Sequence, residues 1–109
     1  MKESKVAAEP IMIKDVEAVL QWAKANSRFY TLLASEMLEA IPMLCKGSDV
    51  LSETYLQTQS KVFTTMPVTF LGGLSSIIKG EMNSSRLKRT EYQSCKDTFI
   101  RLDQTINQR

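Results

Sequence analysis

Histidine is absent from this 109-residue chain, so the usual general base of acid–base and nucleophilic catalysis is missing. Cysteine is scarce: Cys45 and Cys95 stand fifty residues apart, far from any paired spacing that builds a zinc site. Four glycines and three prolines are too few for an all-β fold built on many tight turns. The pair Gly72-Gly73 lacks the Gly-x-x-x-x-Gly-Lys-Ser/Thr spacing of a phosphate loop. Glu36 and Glu39 lie three apart at the border of a polar helix face, where ordinary carboxylate behaviour is expected. These absences point away from an enzyme, and neither a cofactor nor a metal is expected.

Long apolar runs are missing too. The least charged stretch, residues 62–78, is interrupted by Pro67, Gly72 and Gly73 and holds five Ser/Thr, which makes a poor membrane span. It also lacks the basic polar face of an interfacial helix, so membrane contact is disfavoured. The N-terminus is polar with no apolar core of a signal peptide, and a reducing cytoplasm with unpaired thiols is the expected setting. In that setting Asn83-Ser84-Ser85 is a chance glycosylation sequon.

What remains is an ordinary globular composition, 43% apolar and 24% charged, sized for one small domain. A disordered tail over 1–9 is expected, followed by a single helical domain over 10–109. Helical periodicity is strongest from Pro10 to Lys46. Val16, Val19, Ala23, Asn26, Tyr30, Leu33, Met37, Ala40 and Leu44 alternate three and four apart, opposite a polar face. Pro10 suits the first turn, Asp15 marks a later alternative start, and Pro42 should kink the last turn. Asn26 and Tyr30 fall on the stripe; buried there, each needs a hydrogen-bond partner, and Asn26 would set the register.

Lys46-Gly47-Ser48-Asp49 reads as a helix stop followed by a helix start, with glycine in a left-handed cap and serine capping the next helix. The second helix, roughly 48–79, should fold back as a hairpin and be kinked or broken near Pro67 and Gly72-Gly73. An edge strand over 62–70 is the alternative. Gly80 and Asn83-Ser84-Ser85 mark a further turn. A third helix, about 85–107, carries Tyr92, Cys95, Phe99, Leu102 and Ile106. It starts at Ser84 or Ser85, or at the capping-box form Thr90-x-x-Gln93. The expected fold is all-α: a helical hairpin plus a third helix, like a three-helix bundle.

Two surfaces stand out. On the first helix Trp22, Ala25, Phe29 and Leu32 form a second apolar stripe. Either its neighbours in the bundle cover it, or Trp22, Phe29 and Leu32 anchor another chain by helix-in-groove recognition. Residues 84–109 carry six Lys/Arg against three Asp/Glu. There Arg86, Lys88, Arg89 and Lys96, with Arg101 further on, could meet an anion or steer an acidic partner. No nucleic-acid motif or stacking platform accompanies them. The function expected is therefore a non-enzymatic interaction module (adaptor, small chaperone or inhibitor) that binds a protein partner, with its own dimer as one form. Nucleic-acid contact through 86–101 and a coat on a membrane or apolar surface through 62–78 are the alternatives.

Overall fold

A computed structural model describes residues 11–45, 47–51, 68–84 and 93–107. In chain order these form β1 (Ile11–Met12), α1 (Ile13–Asn26), α2 (Thr31–Cys45), β2 (Val50–Leu51), α3 (Phe70–Met82) and α4 (Gln93–Asn107). The described fold is mostly helical with four helices, where the sequence suggests three. The expected tail, the segment 52–67 with Pro67, and Arg86, Lys88 and Arg89 lie outside the described residues.

The extra helix comes from a break in the first one. The periodic stripe continues across Ser27–Tyr30, but the helix does not. The Ser27 amide still donates to the Ala23 carbonyl at 2.9 Å, ending α1. The Ser27 hydroxyl then accepts from the Tyr30 amide at 3.1 Å, and the Thr31 hydroxyl turns back onto the Ser27 carbonyl. Asn26 does not reach across the core to set a register. Its side-chain amide donates to the Trp22 carbonyl of its own helix at 3.0 Å. The Ser27 and Thr31 hydroxyls thus satisfy backbone groups left open between the two helices, which makes reversal inexpensive. α1 and α2 form the hairpin expected of 10–46 and 48–79, but within the first of those segments.

The N-terminal boundary also moves. Ile11 and Met12 are extended and pair antiparallel with Leu51 and Val50, and the Ile13 amide donates to Asp49 at 2.9 Å. The helix therefore begins at Ile13, between the two expected starts, with Asp15 in its first turn. Gly47 takes the left-handed conformation expected of it, at φ 89°. Ser48, however, caps no helix: its hydroxyl accepts from the Val50 amide at 3.1 Å and turns the chain into β2. α2 continues through Pro42 to Cys45, with Pro42 exposed in the last turn, where only the Leu38 carbonyl loses a donor.

α3 starts three residues after Pro67. Thr69 caps it, accepting from the Gly72 amide at 3.0 Å, and Gly72-Gly73 are helical rather than a break. Gly73 gives close approach to α2: a Cβ there would sit 3.3 Å from Met37 Sδ. Gly80, expected in a turn, is likewise helical and admits Tyr30, whose hydroxyl lies 2.5 Å from where a Cβ would be. The turn itself falls at Asn83, as the sequence suggests. Phe70, Leu71, Leu74, Ile77 and Ile78 are all buried, so this part of 62–78 is core.

α4 buries Phe99, Leu102 and Ile106, with Cys95 half-buried, along the expected stripe. It packs on α3 and on α1, and α1 packs on α2. Gly73 of α3 also lies against Met37 of α2, and all four helices contribute to one core. Phe99 meets Trp22 edge-to-face at 5.4 Å and 87°, and Arg101 reaches Asp15 at 3.1 Å. The Cα radius of gyration is 13.5 Å, close to the roughly 13 Å expected of a compact chain this long.

Candidate interaction surface

The break at Ser27–Tyr30 takes the second apolar stripe apart. Trp22 belongs to α1 and is 8% exposed, so its ring is core against Phe99. Ala25 is exposed on α1. Phe29 sits in the turn and is 87% exposed, and Leu32, in the first turn of α2, is 58% exposed. The four residues share no single face, but Phe29 and Leu32 remain together at the tip of the hairpin.

A further exposed apolar residue, missed in the sequence, lies on α2. Met43 is 56% exposed on α2. Eleven residues separate it from Leu32, which brings it to within roughly 20° of the same line and about 16 Å along the axis. The signal was present as a three-and-four spacing, Leu32, Glu36, Glu39, Met43, on the side opposite Ala34, Met37, Ile41 and Leu44. Glu39 is exposed and Glu36 half-buried between the two apolar ends. α2 contains no Lys or Arg. Its outer face is therefore apolar at its ends and acidic in the middle.

The described part of the basic segment is less one-sided than its composition. Lys96 is half-buried on α4 and Arg101 is engaged with Asp15, while Asp97 and Asp103 lie on the same helix. Lys79 and Met82 of α3 and Asn83 at its end meet Asp103 and Asn107 of α4 around a recess of about 390 Å³. The recess carries one cation, one carboxylate and two carboxamides, so it has no dominant charge.

Two side chains bear on chemistry. Neither Cys45 nor Cys95 forms a disulfide. Burial first, then the Glu17 carboxylate, push the Cys45 thiol upward, which keeps it protonated and a weak nucleophile. Glu81 is 3% exposed at the end of the α3 core stripe, and its Oε1 has no hydrogen-bond partner among the described residues. In the sequence it continues the spacing Leu74, Ile77, Ile78, which is the pattern of a buried position. No described helix is long and apolar enough to cross a membrane.

Compared with known protein families, curated proteins and solved structures, the chain matches none.

Proposed function

We propose that this chain is a non-enzymatic interaction module that binds a protein partner through the tip and outer face of the α1–α2 hairpin. Phe29 and Leu32 are its anchors and Met43 a third. The observation that carries the reading is the exposure of Phe29, 87% open on a chain that has only four phenylalanines. Scattered exposed apolar residues are ordinary; what supports the reading is a phenylalanine this open at a turn, three residues from an exposed leucine. Burying each of the two against a partner is worth roughly 1.5–3 kcal/mol, enough to anchor a modest interface. Arg86 and Arg89 as steering residues for an acidic partner remain part of the proposal, supported by composition alone.

The test uses the full chain as bait in extract from its native cell, beside a variant carrying Phe29→Ser and Leu32→Ser. Because both positions are exposed, circular dichroism and thermal melting should be unchanged. The expected result is a protein captured by the parent chain and lost by the variant. Equal capture by both would remove these residues from any interface. Light scattering alongside distinguishes a foreign partner from a second copy.

A further inference from the structure

We infer that the hairpin tip plugs an apolar pocket rimmed with carboxylates on a protein partner, with Phe29 entering the pocket and Lys24 and Arg28 meeting acids at its mouth. This rests on the reading above that the tip binds a protein, and it adds the sign of the surface that receives it.

The sequence around the reversal is one-sided. Residues 18–35 contain Lys24 and Arg28 and neither Asp nor Glu. Both cations are exposed, Lys24 in the last turn of α1 and Arg28 in the turn next to Phe29. Neither takes part in an ion pair among the described residues. The first turn of α2, where an acidic residue is favoured, has none. The end of α1 and the start of α2 lie together, so their partial charges offset and the two side chains set the sign. The carboxylates around the tip do not cancel it. Glu17 lies two turns before Lys24 and is half-buried, and Glu36, in the second turn of α2, already has an interaction partner. α3 also ends here, with Gly80 against Tyr30, but its Glu81 is buried and offers a partner no charge.

Arg28 is the chain neighbour of Phe29, so whatever covers the ring also approaches the guanidinium. A purely apolar cover would strip water from that charge and return nothing. A pocket with acids at its mouth satisfies both, with ion pairs at a wet rim around a dry aromatic anchor. An anionic membrane is the other surface with that pairing, and the tip is short of what one takes. Phe29 and Leu32 together bury fewer carbons than one myristoyl chain, itself a marginal anchor. Two cations are also fewer than the clusters of roughly four to eight that mark a lipid-binding segment.

The experiment adds the intact chain to soluble extract of its native cell and treats the mixture with a carbodiimide. That reagent joins a lysine amine directly to a carboxylate, so mass spectrometry of the captured protein reads which lysines touch its acids. Cross-links should concentrate at Lys24 over Lys14, which lies at the other end of α1, and Arg28→Lys should add a second site. Without the reagent, Lys24→Glu/Arg28→Glu should lower capture roughly tenfold at low salt, and the deficit should shrink as salt rises. Lys24→Gln/Arg28→Gln, milder at the end of α1, should lower it less, with circular dichroism unchanged in both. Capture that needs Phe29 but ignores both charge variants, with no cross-link at Lys24, would overturn the acidic pocket and leave the binding tip standing. An absence of any capture that Phe29→Ser abolishes would overturn both. Sedimentation with phosphatidylserine vesicles that Phe29→Ser abolishes would overturn the inference in favour of a membrane. A dimer in light scattering that Phe29→Ser dissolves would overturn it in favour of a second copy.

Discussion

α2 and α4 are both fifteen residues long, and each buries one stripe in the same core. They differ on the other side. Where its side chains are described, every exposed residue of α4 is polar: Gln93, Asp97, Arg101, Gln104 and Asn107. Of the five exposed residues of α2, Leu32, Pro42 and Met43 are apolar and only Thr31 and Glu39 are polar. Folding requires one buried stripe per helix, and α4 shows that this chain can build a helix with no more than that. Among the described residues, the outer side chains of α2 are therefore not explained by the core.

Breaking the inner side of the comparison should have the largest effect. Phe99 is fully buried and holds Trp22 edge-to-face, joining α4 to α1. Phe99→Ala should cost about 3–5 kcal/mol, read as a fall in the urea midpoint. Next comes Gly80→Ala. Alanine normally favours a helix interior by roughly 0.5–1 kcal/mol over glycine. Here its Cβ would lie 2.5 Å from the Tyr30 hydroxyl and 2.8 Å from the ring. A net loss of about 1–3 kcal/mol is expected, and Tyr30→Leu in the same chain should recover part of it in a double-mutant cycle.

Glu81 is the mirror image of Phe29: a carboxylate inside where an aromatic stands outside. It also occupies the last turn of α3, where the helix dipole disfavours a negative charge. Glu81→Met keeps the length of the side chain and removes an acceptor with no hydrogen-bond partner among the described residues. Stability should rise by about 1–2 kcal/mol, seen as a higher melting temperature. A fall would mean that the carboxylate has a stabilising role.

These sites also mark how far the sequence could be read. The inner faces were legible, because Val16, Val19 and Ala23 in α1 and Phe99, Leu102 and Ile106 in α4 keep the spacing that burial demands. The hairpin at Ser27 was not legible from that spacing. Periodicity identifies which residues face a core, and it can continue across a reversal that sends the chain back along that core. The local signal was the cluster Asn26, Ser27 and Thr31, whose side chains compete for backbone groups. Ser48 misled for a related reason: a hydroxyl that caps a helix can equally close a turn, and the pairing of Val50 and Leu51 with Met12 and Ile11 decided which. The sequence left Trp22 open as core or anchor, and its ring meets Phe99 of α4, a contact between residues far apart in sequence. Phe29 and Leu32 were expected on one continuous helix with Trp22, and the break between Asn26 and Thr31 separates them from it.

The smallest expected effect on folding tests the outer side. Leu32→Ser with Met43→Ser changes two exposed positions that share one line on α2. Serine is a weaker helix former than leucine or methionine, so a few tenths of a kcal/mol per site could be lost from propensity alone. Neither side chain leaves a cavity, and neither leaves a buried polar group unmatched, so the total should stay within about 1 kcal/mol. The corresponding inner change on α2, Met37→Ser, removes a fully buried side chain that Gly73 of α3 approaches closely, and should cost several-fold more. Urea midpoints of the two variants place the core on one side of the helix or on both. If the outer pair proves as costly as Met37, Leu32 and Met43 belong to the fold after all, and the contrast between α2 and α4 disappears.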